Sequence, residues 1–201
     1  CLLSSTYEPS SKTKMKLRAA PGAGTMYLQS ECAEALAELF AGAEEAGYKL
    51  YLKSAYRAYK TQKTMYNNRL ERNNGKDDGW VSKPGASDHQ TGLGCDVVPG
   101  SWKDKSMNSN MASTPECQWM AEHCYEYGFV IRYPEDKQDI TEINYEPWHL
   151  RYVGKEVARY IWRNGLCLEE FHEQLQAAID AYLAAGGDAR RVEDLIQTSA
   201  E

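Results

Sequence analysis

The stretch FVIRYPEDKQDITEINYEPWHLRYV, residues 129–153, places two segments rich in aromatic and β-branched residues on either side of a charged turn. FVIRY (129–133) and YEPWHLRYV (145–153) read as extended pieces lying side by side. Two more segments, LYLKSAY (50–56) and LGCDVV (93–98), have the same character. They alternate irregularly with helical patterns and not as repeated βαβ units. The expected fold is therefore α+β, with a small central antiparallel sheet flanked by helices.

Working outward, the apolar spacing of ECAEALAELFAGAEEAG from Ser30 predicts an amphipathic helix with a serine cap, stopped at Gly47. YKTQKTMYNNRLERNNG (59–75) predicts a second helix ending in an Asn/Gly breaker. Thr114, Pro115 and Glu116 open a third in the order cap, proline, acid, and Gly128 ends it. Residues 154–165 and 168–185 carry helical periodicity, and RRVEDLIQTSA (190–200) suits a short terminal helix. Residues 1–29, rich in Ser, Lys, Pro and Gly, read as a lead-in segment. This divides the chain into a lead-in or linker at 1–29, a main domain at 30–170, and a helical C-terminal extension at 171–201 packed on the same domain.

The 201 residues carry 23 basic and 29 acidic side chains, a formal charge of −6, which disfavours nucleic acid as a partner. No stretch approaches the roughly 20 apolar residues of a membrane span, so no membrane insertion is expected. The six cysteines form no CxxC pair. Cys1 has two readings, a lipid-accepting residue or a chance position. Nothing in the sequence sets an oligomeric state.

Only four histidines are present. His89 lies in SDHQTGLGCD with Asp96 seven positions on, and His149 lies in YEPWH three positions after Glu146. Two imidazoles and a carboxylate would supply three zinc ligands and leave a fourth position for water, the catalytic pattern. The spacing alone leaves a second reading open, in which these are ordinary surface or cap histidines and Asp96 is a turn or strand-end residue. Residues three apart on an ideal strand point to opposite faces, so Glu146 and His149 share a site only if the chain bends at Pro147. His123 and His172 read as helix-surface positions, and Lys53, Lys83 and Arg151 as solvated charge.

Three segments, SAYRAYKTQ (54–62), SDHQTGLGCD (87–96) and YEPWHLRYVG (145–154), occur in one order that resembles the VanY-type D-alanyl-D-alanine carboxypeptidases of the LAS metallopeptidase superfamily. The resemblance implies His89, Asp96 and His149 as ligands of one zinc ion and Glu146 as catalytic acid/base. It also implies Arg57 as the group that steadies the oxyanion or holds the substrate near the metal, with Gln62 and Ser87 gripping the substrate carboxylate. Trp148 either lines the cleft or is core. Asp88 stands where relatives have Glu, a conservative change. The implied activity is D,D-carboxypeptidase action on the terminal D-alanine of peptidoglycan stem pentapeptides. The alternatives are an L,D-carboxypeptidase acting on tetrapeptides, or a non-catalytic zinc-containing wall-binding domain. The implied location is extracytoplasmic, in the bacterial cell envelope, with a membrane anchor in the full-length protein.

Overall fold

The computed structural model describes residues 2–192. Cys1 and most of the stretch read as a terminal helix lie outside them. A four-stranded sheet forms the centre, built from β3 (Leu50–Ser54), β4 (Gly94–Pro99), β5 (Phe129–Ile131) and β6 (His149–Tyr152) in the order β3-β4-β6-β5. Every neighbouring pair is antiparallel. The segments of 129–153 do lie side by side, Val130 opposite Arg151 and Ile131 opposite Leu150. Their connection, expected as a plain charged turn, contains the short helix α4 (Gln138–Thr141).

Helices α1 (Ser30–Glu45), α2 (Tyr59–Arg72) and α3 (Pro115–His123) form close to where their patterns place them. The Thr114 hydroxyl accepts from Cys117 N–H, as its cap position demands. At α1 the serine does not cap. Gln29 precedes the helix, and the Ser30 hydroxyl pairs with that of Thr13 at 3.0 Å. Gly47 then turns the chain out of α1 at φ +88°. Leu36, Leu39, Leu50, Leu52, Cys95, Val97, Phe129 and Leu150 are fully buried in one core under the sheet.

The lead-in departs from expectation. Its strands β1 (Thr13–Lys14) and β2 (Tyr27–Leu28) pair antiparallel, and Leu28 is fully buried. Ala20 N–H donates to Leu52 O and Leu52 N–H to Arg18 O, which ties this segment to β3. Order therefore begins well before Ser30, because backbone groups of a Ser/Lys-rich stretch can be satisfied by an exposed sheet edge whatever the side chains are.

The C-terminal end departs in the other direction. After α5 (Lys155–Asn164) and the left-handed Gly165, α6 (Leu168–Ala184) buries none of its 17 residues. It is held at its first turn. Glu169 pairs with Arg132, Glu170 with Lys137, and Phe171 packs against the small cluster around Val130 and Ile161. Beyond that turn the helix is exposed, so packing on the domain is confined to its start. No helix among the described residues is long and apolar enough to cross a membrane.

Candidate metal centre and active site

The site grows from one row of side chains across the sheet. Antiparallel register sets Ser54 opposite Asp96 and Asp96 opposite His149, so all three project from the same face. An irregularity in β3 between Leu52 and Ser54 brings Ser54 into that row. Asp96 alternates with Cys95 and Val97, which point into the core. Cys95 is thus a packing residue, as its place in the strand predicts.

His89 reaches the row from a 3₁₀ turn at Asp88–Thr91. That turn is gripped by the lead-in. Gln90 donates to the carbonyl of Ser4, and Gln29 to that of Thr91 at 2.7 Å. Glu146 arrives through the bend that spacing alone leaves open. Pro147 and Trp148 form a turn closed by His149 N–H donating to Glu146 O at 3.1 Å, which puts Glu146 Oε2 3.7 Å from His149 Nδ1.

His89, Asp96 and His149 are all buried, and their candidate ligand atoms lie within 4.8 Å of one another. No other metal-competent grouping occurs among the described residues. His89 Nδ1 donates to Ala55 O at 2.7 Å, which leaves the Nε2 lone pair facing Asp96 Oδ2 at 3.4 Å. His149 presents the other nitrogen, its Nδ1 standing 3.1 Å from Asp96 Oδ1. Donors 2.0–2.2 Å from a tetrahedral zinc stand roughly 3.3–3.6 Å apart, so the two Asp96 spacings of 3.4 and 3.1 Å and the N/N/O chemistry fit the ion.

The electrostatics suit a cation. Asp96 is buried, yet the two facing imidazoles hold its carboxyl well below the usual carboxylate range. Burial keeps the His89 imidazole neutral by lowering its pKa, against the pull of Asp96. Burial would lower His149 as well, but the carboxylates of Asp88 and Asp96 outweigh it and raise the group to about 9. Burial pushes Glu146 up to about 8, with His149 and Arg57 opposing the rise and Asp96 adding to it. Two carboxyl groups beside one histidine therefore behave oppositely, a common arrangement at sites of proton transfer.

Arg57 borders the same cavity, a space of about 200 Å³ that also touches all three candidate ligands and Glu146. Its guanidinium donates to Ser54 Oγ at 3.0 Å and to Gln62 Oε1 at 2.8 Å. Gln62, expected at the substrate carboxylate, is almost fully buried, accepts from Arg57 and donates to Ser82 O. In the structure it holds Arg57 and still borders the cavity. Ser87 is buried at the cavity wall. Trp148 satisfies both of its readings, being 4% exposed in the core yet edging the cavity, stacked on Trp80 with centroids 6.5 Å apart.

Trp80, Ser82, Met107 and Tyr133 also line the cavity without having been singled out from sequence. They sit in loops or at strand ends, where no periodicity flags them. Arg151 corrects the solvated-charge reading, since its guanidinium donates to Asp88 Oδ1 at 2.6 Å. Lys53 likewise donates to the carbonyl of Lys103. His123 pairs with Glu126 at the surface, and His172 is exposed, both as expected.

Residues 25–155 match the family model described as VanY, D-alanyl-D-alanine carboxypeptidase. The chain belongs to the VanY family. The match to YodJ of Bacillus subtilis (strain 168) is 42% identical over 151 residues, 75% of this chain and 55% of that one. The chain spans about half the length of YodJ and of two enterococcal D-alanyl-D-alanine carboxypeptidases that it also matches. Among solved structures, the LdcB LD-carboxypeptidase superposes with a TM-score of 0.80 at 39% identity, covering 86% of this chain and 81% of that one. A vancomycin resistance D,D-pentapeptidase VanY from a VanB-type cassette, in complex with Zn(II), superposes at 0.69 with 28% identity, covering 85% and 93%. The α+β architecture is thus that of VanY-type carboxypeptidases.

Proposed function

We propose that the protein is a zinc-dependent D,D-carboxypeptidase that removes the terminal D-alanine from peptidoglycan stem pentapeptides. The observation that carries this reading is the convergence of Glu146 and Arg57 with the His89, Asp96 and His149 donor set on one cavity. His89, Asp96 and His149 would hold a single zinc ion. That ion supplies a Lewis acid, polarising the scissile carbonyl and lowering the pKa of water. Glu146 takes the proton from the attacking water and returns one to the departing amine. Arg57 cannot lose its charge, and it faces the cavity held by Ser54 and Gln62, set to stabilise the negative charge that develops on the carbonyl oxygen. A non-catalytic wall-binding role would need neither of these two groups.

The LD-carboxypeptidase likeness supports L,D-cleavage of tetrapeptides as a second reading. Mass spectrometry of defined tetra- and pentapeptides after incubation with the zinc-loaded protein separates the two. Loss of one D-alanine from the pentapeptide alone supports the first, and loss from the tetrapeptide alone the second. No release from either overturns both in favour of the wall-binding domain. Such a substrate places the protein's action outside the cytoplasm, and a tether in the full-length protein would appear as membrane-fraction recovery on cell fractionation.

A further inference from the structure

Behind the metal donors, three buried polar atoms without a hydrogen-bond partner converge: His149 Nε2, Asp88 Oδ2 and Arg132 Nε. His149 Nε2 stands 3.8 Å from Asp88 Oδ2, and Arg132 Nε stands 3.0 Å from the same oxygen. The other oxygen of Asp88 accepts from Arg151. Arg132 also donates from both terminal nitrogens to Glu169 at the start of α6. A continuous path of charged groups thus runs from the C-terminal helix to the imidazole of His149.

Backbone geometry accounts for its construction. Arg151 lies two residues beyond His149 on β6 and so shares its face. Gly94 sits directly opposite Arg151 in the register. A Cβ at Gly94 would come within 2.7 Å of Asp88 Cβ and 3.0 Å of its carbonyl carbon. The missing side chain is the space that Asp88 fills. Flanked by two guanidiniums, the Asp88 carboxylate accepts hydrogen bonds and donates none. The ring nitrogen turned toward it, 3.8 Å away, is the one that keeps its hydrogen when the ring is neutral, and Nδ1, the atom facing Asp96 and Glu146, is then the one free to take a metal.

We propose that Asp88 is a positioning residue for His149. Clamped by Arg132 and Arg151, it holds the Nε2–H side of the ring and presents Nδ1 to the metal, and Glu169 is the outermost link of the clamp. This rests on the zinc reading above. Partners of this kind orient metal-bound histidines, and their loss weakens metal binding by about 10- to 100-fold.

Zinc affinity of the full chain, measured by competition with a chelating indicator, tests it. Asp88→Asn should bind zinc about 10- to 100-fold more weakly than wild type while its far-UV circular dichroism is unchanged. Asp88→Glu, which restores a carboxylate between the same guanidiniums, should recover most of the loss. Glu169→Gln should show a smaller loss of the same sign. Zinc bound equally by wild type and Asp88→Asn overturns the clamp alone, whereas a wild-type chain that takes up no zinc overturns the metal reading itself. Should Asp88→Asn fail to fold, Glu169→Gln decides, since its side chain lies near the surface and wild-type affinity there breaks the proposed path.

Discussion

The β4–β6 seam and helix α6 invert the usual relation between residue type and environment. In the seam, Asp96, His149 and nearby His89 are each less than 5% exposed, although all three are polar or charged. In α6, Leu175 is 45% exposed and Leu183 38%, and no residue is buried. Polar groups out of water and apolar groups in it both run against the hydrophobic gain of folding. The seam tolerates its arrangement because nearly every buried polar atom faces a partner of complementary charge. The helix tolerates its own because single exposed leucines cost little. Burial of polar groups is therefore the informative departure, and it marks the site.

That contrast can be broken by experiment, beginning where the largest effect is expected. Replacing Glu146 with Gln should lower turnover of the cleaved stem peptide by about 10²- to 10⁴-fold with zinc content unchanged. Near-wild-type turnover would remove Glu146 from proton transfer. Arg57→Lys keeps the charge but loses the fork that Ser54 and Gln62 hold. Its turnover should fall by about 10²- to 10³-fold, chiefly in kcat. An effect on KM alone would make Arg57 a binding group.

A smaller effect is expected from pH. Folding raises Glu146 from 4.5 to about 8 and His149 from 6.5 to about 9, so the folded metal-free protein holds protons that the unfolded chain releases. The contribution of His149 is complete below pH 6.5 and is lost as pH rises through about 9, while the buried Glu146 adds a loss between 4.5 and about 8. The Tm of metal-free protein should fall as pH is raised from neutral to alkaline. Zinc competes for the same nitrogens, so the gap between loaded and free protein should widen over that range. A gap independent of pH would mean that zinc displaces no proton from His149.

The smallest effect belongs to α6. Leu175→Ser and Leu183→Ser should each change stability by no more than about 0.5 kcal/mol, measured by urea unfolding. A loss near that of a core leucine would show that this face is covered, and the contrast with the seam would vanish.

How much of this was legible follows the range of the interactions. Apolar periodicity and β-branched or aromatic content are local, and they located the longer helices and the two strands of 129–153, though not the short α4 between them. His89, Asp96 and His149 stood out because histidines are few and the motif spacing resembles one family. The bend at Pro147 was not decidable, since proline restricts Glu146 without saying which turn follows. Arg151 and Arg132 were unreadable for a different reason. An arginine in a strand reads as solvated until the carboxylate that buries it is known, and Asp88 comes from a segment more than 40 residues away. The lead-in hid itself similarly, because its docking rests on backbone groups that every residue carries.

Gly94 gives this site a requirement that no list of metal ligands contains. Anyone transplanting the His–Asp–His trio into another antiparallel sheet would copy three side chains and an acid and would still need an empty position two residues before the aspartate. A designer who filled that position with alanine would displace Asp88 and leave two arginines facing an unanchored histidine. The portable unit is therefore two adjacent cross-strand rows, one that reaches toward the ion and one whose vacancy holds the first in place.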